Sequence, residues 1–317
     1  MTRPADSSRS AAALRKRVLT ALAGSRIAGL HFPGYLMGLR WRGVQKGTER
    51  ATLSFKDDGW CRDAAGSVNL PALAILVDTA LATTSRTGAE PGARMATVSL
   101  AMQFTGVPLT AHLECRSRFM GHARGEHVRE SLSHAVLTSG GAVAAYADGA
   151  FVLLPPPPGV KLAPLPWQQA KREPLRPLKE AELEPHERVV LARCDEALAA
   201  ATPASPFIDH FWAGVPHAVQ DGAALAVDVS PHLGNRVGHV QGGVQVGLAA
   251  RTAMAAVPPR FRLSNCSAWF VSPGRGPRLH VRARVLHEGR SFALVHCEIR
   301  GAANERILET TCQFVAR

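Results

Sequence analysis

The chain has 317 residues, 46% of them hydrophobic, which exceeds the usual single domain and supplies apolar surface for two cores. No apolar stretch reaches the ~20 residues that span a bilayer, and Cys61, Cys115, Cys194, Cys266, Cys297 and Cys312 have neither CxxC pairing nor a disulfide framework's spacing; a soluble protein of the reducing cytoplasm is expected. The net charge is +12 and only 6% of residues are aromatic, so no stacking platform for bases exists and nucleic acid is excluded, leaving a solvated Arg-rich surface or a phosphate-bearing small-molecule partner.

Residues 1–26 hold Arg3, Arg9, Arg15, Lys16 and Arg17 against Asp6 alone, a balance that suits a transit segment. The segment instead reads as a helix over 11–23 leading straight into the fold, because a similar helix over 187–201 precedes the second half. In the first half, Val44-Gln45-Lys46-Gly47 introduces an alternating strand over 50–55, then Asp63 and Gly66. An apolar helix over 70–82 follows, with Asn69 as N-cap and Pro71 in its first turn. Strands over 97–104, 113–118 and 142–154 complete the half, with Pro108 and His122 to Gly125 between them.

Pro155 to Pro158 open a Pro-rich stretch of the kind that forms stiff connectors. The second half repeats the order: Val219-Gln220-Asp221-Gly222, a strand over 224–229, Asn235 to Gly243, a helix over 244–256, and strands over 263–270, 279–284 and 306–316. Parallel order at drifting loop lengths indicates tandem duplication. Strands joined by short turns imply an antiparallel sheet, and a lone apolar helix must bury itself against it. The fold class is therefore α+β, with two tandem units, each a sheet wrapped around a central helix. The boundaries are residues 1–26 for the N-terminal helix, 27–154 for unit one, 155–205 for the linker and its helix, and 206–317 for unit two. The connector allows the second copy to pack face to face with the first.

Two features carry chemistry. Asp78 interrupts a helix that is apolar on every face, where an ionised carboxylate is costly unless partnered; it is either a perturbed catalytic acid or half of a structural ion pair, with Arg251 as the candidate. Gly242-Gly243 opens the second helix, whose first-turn N–H groups and positive dipole end suit a developing oxyanion, with Asn235 on the same loop. The plain alternative for the pair is a tight turn into a helix.

The order Asn/Asp, five residues, His-Gly-Gly, then a helical acid and a strand beginning Thr-Val, resembles the hot-dog acyl-CoA thioesterases of the phenylacetyl-CoA type. Asn265 to Pro273 and Thr310 to Phe314 are also similar to the double-hot-dog acyl-CoA thioesterase II type. By that resemblance Asp63 falls on the Asn/Asp, Asn69 on the His, Asp78 on the acid and Thr97 on the Ser/Thr that contacts the nucleophilic water. In the second copy Asn235 is retained, Gln241 replaces the His, Gly242-Gly243 is kept, Ala250 replaces the acid and Ser264 lies near the Ser/Thr. The resemblance implies one live composite site, with Asp78, Thr97, Asn235, Gln241 and Gly243 as catalytic residues and Gly242, His239 and Gln313 at the substrate. The reciprocal pair, Ala250 with Leu70-Pro71, is implied to be inert.

The expected activity is hydrolysis of an acyl-CoA thioester. Gly243 polarises the carbonyl, Asp78 acts as general base or nucleophile, and neither a metal nor a cofactor beyond the coenzyme A of the substrate is needed. Surface arginines are expected to hold the coenzyme A phosphates, no membrane is involved, and a homodimer is expected. The alternatives are a hydratase or dehydratase using His239, and an acyl-CoA-binding protein without catalysis.

Overall fold

The computed structural model describes residues 10–27, 30–42, 49–56, 58–87, 93–110, 112–124, 129–154, 159 and 174–317. The Pro-rich connector and the Val44 motif lie almost wholly outside them. Unit one contains helices α1 (Ala11–Ser25) and α2 (Phe32–Met37), strands β1 (Arg40–Arg42) and β2 (Arg50–Lys56), and central helix α3 (Leu70–Ser85). Strands β3 (Arg94–Phe104), β4 (His112–Arg124), β5 (Arg129–Ser139) and β6 (Ala142–Leu154) follow. Unit two repeats this as α4 (Pro185–Ala200), α5 (Phe207–Trp212), β7 (His217–Val219), β8 (Gly222–Asp228), α6 (Gly242–Ala255), β9 (Phe261–Phe270), β10 (Arg278–Glu288), β11 (Phe292–Gly301) and β12 (Arg306–Ala316).

The strands form one antiparallel sheet in the order β1-β2-β4-β5-β6-β3-β9-β12-β11-β10-β8-β7. Exchanging each strand with its counterpart reverses the list onto itself, as a duplicated pair about a pseudo-twofold requires. The units meet edge to edge, Ser99 to Gln103 of β3 pairing with Trp269 to Asn265 of β9. The sheets therefore do not stack face to face as the sequence suggested. Joining these two edges satisfies backbone groups that two separate sheets would leave unpaired.

The central helices supply the face-to-face contact. Leu73, Ile75, Leu76, Val77 and Leu81 of α3 and Val244, Val246 and Leu248 of α6 are fully buried. The helices cross closely and antiparallel because glycine permits it: a Cβ on Gly243 would collide with the Ala74 carbonyl, and one on Gly247 with Pro71. This contact brings the first turn of α6 to the middle of α3, where Asp78 sits.

The loops before the central helices repeat atom for atom. Asp63 Oδ1 accepts the N–H groups of Ala65 and Ser67, at 2.9 and 3.0 Å; Asn235 Oδ1 accepts those of Val237 and His239, at 3.0 and 3.1 Å. Gly66 and Gly238 take φ of +80° and +79° in the two turns, a left-handed backbone that favours glycine.

Candidate active site

Asp78 is 5% exposed. Its Oδ2 accepts from Gln241 Nε2 at 2.6 Å, its Oδ1 accepts from Thr97 Oγ1 at 3.0 Å, and the Gly243 N–H also donates to it. Gln241 is the N-cap of α6, its Oε1 accepting the Val244 N–H at 2.9 Å, so one side chain ties the helix tip of unit two to the acid of unit one. Burial raises the Asp78 pKa to about 6, against the opposing pull of Thr97, Gly243 and Gln241. Desolvation disfavours the charged form, and donors aimed at the carboxylate favour it.

A cavity of about 380 Å³ opens beside this cluster, with Asp78, Thr97, Asn235, His239, Gln241 and Gly242 on its wall. That volume lies within the range of small-molecule sites. Gly242, not Gly243, faces the cavity. A Cβ at Gly242 would stand 3.2 Å from both Asp78 Oδ2 and Thr97 Oγ1, whereas Gly243 packs on α3 and its N–H is committed to Asp78. The Gly243 N–H, expected from the sequence to polarise the carbonyl, interacts with Asp78, which leaves the Gly242 N–H as the first-turn donor that can meet a substrate carbonyl. The Gly242 N–H finds no acceptor among the described residues, as a first-turn donor does by default.

Other expected roles also shift. Arg251 forms its ion pair with Asp209, at 3.2 Å, and not with Asp78. Gln313 is exposed on β12 between buried Cys312 and Phe314, so strand alternation turns it away from the helix face, and it does not line the cavity. The ladder equates Thr97 with Leu263, since Thr97 pairs with Phe151 and Leu263 with Phe314 next to equivalent register shifts. Ser264 occupies the bulge and donates to the Gln313 carbonyl at 3.0 Å. His239 is half-buried, its pKa lowered by burial and then by Arg94 and Arg275; among the described residues no carboxylate pairs with it, as the hydratase alternative needs.

Sequence reasoning missed three arginines on the wall, Arg86, Arg94 and Arg236. It also missed Gln245, 3% exposed, whose Nε2 donates to the Val240 carbonyl at 2.9 Å and whose buried Oε1 has no partner. Gln245 was detectable as a polar residue one turn beyond Gln241 in an apolar helix. Among the described residues no group of three or more His, Cys, Asp or Glu side chains could hold a metal ion, and no helix is long and apolar enough to cross a membrane.

Residues 231–315 match the family model of the acyl-CoA thioesterase N-terminal domain. The chain has a tandem hot-dog fold, and its residues 231–315 are similar to an acyl-CoA thioesterase domain. Three solved structures share the fold across both units of this chain. An oleoyl thioesterase from Lactobacillus plantarum is 13% identical, with a TM-score of 0.53 over 85% of this chain and 96% of its own. A hot-dog protein of unknown function from Alicyclobacillus acidocaldarius is 10% identical, with a TM-score of 0.51 over 88% of this chain and 95% of its own. A thioesterase from Novosphingobium aromaticivorans is 12% identical, with a TM-score of 0.50 over 86% of this chain and 97% of its own. No curated protein matches the chain in sequence.

Proposed function

We propose that this chain hydrolyses acyl-CoA thioesters at one composite site, with Asp78 and Thr97 from unit one and Asn235, Gln241 and Gly242 from unit two. The observation that carries the reading is the buried Asp78 carboxylate, held by Thr97, Gln241 and the Gly243 N–H on the wall of a ligand-sized cavity. With its pKa raised to about 6, Asp78 is ionised at neutral pH and still basic enough to take a proton. Water attacks the thioester carbon as Asp78 removes its proton, and the oxygen's new charge is met by the Gly242 N–H at the positive end of α6. Collapse expels the coenzyme A sulfur, to which Asp78 returns the proton, leaving carboxylic acid and thiol.

Thr97 and Gln241 fix the carboxylate, and Asn235 holds the loop that delivers the α6 tip. No metal or further cofactor enters these steps. Coenzyme A release from an acyl-CoA series, abolished in Asp78→Asn, tests the activity; binding without release would leave an acyl-CoA-binding protein. A single turnover in ¹⁸O-water bears on the two roles of Asp78, since label in the Asp78 carboxylate requires an anhydride opened by water at the Asp78 carbon, whereas a general base stays unlabelled.

A cytoplasmic location is supported by six buried cysteines that form no disulfide with one another and fails if the chain is recovered from a secreted fraction. A homodimer is supported by exposed apolar side chains such as Trp269 and Tyr146 on β9 and β6, the two strands that flank β3; a monomer in sedimentation equilibrium would reject it.

A further inference from the structure

We propose that Arg86, Arg94 and Arg236 form an anion-binding subsite that receives a carboxylate at the far end of the acyl group, making thioesters of dicarboxylic acids the preferred substrate class. This rests on the thioesterase reading and specifies its substrate. The three arginines reach the same cavity from separate segments: the C-cap of α3, the first residue of β3, and the loop before α6. The Arg86 guanidinium donates to the Ala93 carbonyl at 2.9 Å, which sets it beside Arg94. Arg236 lies close enough for its charge to act on Arg86, and with burial it brings the Arg86 pKa down to about 10.

Against Arg86 and Arg94 the wall offers one described acid, Asp78, whose carboxylate already accepts from Thr97 and Gln241. Among the described residues the buried Arg94 Nε–H has no acceptor, and a buried donor without a partner is costly. Crowded, desolvated guanidinium groups destabilise one another, and an anion bound among them relieves both costs with charge-assisted hydrogen bonds.

Distance favours the acyl end as the source of that anion. Arg86 follows Asp78 by eight residues on one helical face, about 12 Å at ~1.5 Å per residue, and Arg94 precedes Thr97 by three strand residues, about 10 Å. The wall between is largely apolar, with Ala82, Met95 and Phe151, which suits methylene groups. In coenzyme A about a dozen bonds of ~1.5 Å separate the sulfur from the first phosphorus, so an extended pantetheine arm carries its phosphates past this distance.

Adipyl-CoA and hexanoyl-CoA differ at the chain end only in the carboxylate, and both hydrolysis and calorimetric binding are to be measured on the full chain. We expect adipyl-CoA to be preferred by about ten-fold or more in kcat/KM and in affinity, and the adipyl-to-hexanoyl ratio to fall about ten-fold in Arg86→Gln and in Arg94→Gln. Measurable hexanoyl-CoA turnover in each variant reports that it has folded. Equal handling of the two thioesters by the wild type, or a ratio untouched by both substitutions, overturns the proposal. So does an equal loss on both thioesters that vanishes with hexanoyl-pantetheine, which assigns the arginines to the coenzyme A phosphates. If neither compound is hydrolysed while adipyl-CoA still binds the tighter, the thioesterase reading falls and the subsite stands.

Discussion

The two pseudo-equivalent helix crossings use one backbone for opposite ends. At the first, Asp78 of α3 meets the Gln241-Gly242-Gly243 tip of α6 beside an open cavity. At the second, α6 presents Ala250 where α3 has Asp78, and the α3 tip is Asn69-Leu70-Pro71. Pro71 stands where Gly243 donates its N–H, and proline has none to give. The space is occupied by a buried network: Asn69 Nδ2 donates to Asp209 Oδ1 at 2.8 Å, Asp209 pairs with Arg251 at 3.2 Å, and Arg251 also donates to the Gly214 carbonyl at 2.8 Å. Duplication leaves one crossing free to become an ionic strut while the other keeps its acid and donors.

The sharpest test of that contrast removes the acid. Asp78→Asn is expected to lower kcat/KM for an acyl-CoA by about 10²–10⁴-fold, the usual contribution of a general base. Adding Ala250→Asp to that variant should restore nothing, because Pro71 provides no N–H to hold the new carboxylate; recovered coenzyme A release would show the crossings to be interchangeable. Arg251→Met has the complementary signature. It strands Asp209 in a buried site, so denaturant unfolding should register a loss of about 3–5 kcal/mol, whereas a fall in kcat without lost stability would contradict a structural role.

Gln241→Ala affects both properties more modestly. Losing the N-cap should cost about 1 kcal/mol. Losing a donor to the ionised Asp78 should raise its pKa further, moving the low-pH limb of kcat/KM to higher pH. A limb that stays in place would detach Gln241 from the acid.

A further expected effect concerns stability against pH. Asp78 has a folded pKa of about 6 above an unfolded value of ~3.9. Its contribution is therefore fully present below the unfolded value and lost as pH rises through 6. Relative to Asp78→Asn, the wild type should lose about 3 kcal/mol between pH 3 and pH 8, and a constant difference across that range would contradict the burial of a titrating acid.

The duplication made most of the fold readable in the sequence, because each ambiguous strand had a counterpart in the other half. Asp78 was readable from the cost of a carboxylate in an all-apolar helix, and Gln241 from its place before two glycines. What the sequence hid depends on tertiary placement. The choice between Gly242 and Gly243 depends on which N–H the Asp78 carboxylate already occupies. The join of β3 to β9 is a pairing between distant edges, and nothing local distinguishes it from a face-to-face stack. Asp209 and Arg251 meet only because α5 packs near α6, which also explains why Arg251 was linked to the wrong acid. Arg86, Arg94 and Arg236 are unremarkable among scattered arginines until three segments converge on one cavity.

The central claim, that catalysis runs through the one acid embraced by the opposite helix tip, is tested most directly by the pH profile of kcat/KM for acyl-CoA hydrolysis in the wild type and in Asp78→Asn. The wild-type rate is expected to fall about ten-fold per pH unit below an inflection near 6, and the residual rate of the variant to lack that inflection. A wild-type profile flat from pH 5 to 7, or an inflection that persists undiminished in Asp78→Asn, would contradict it.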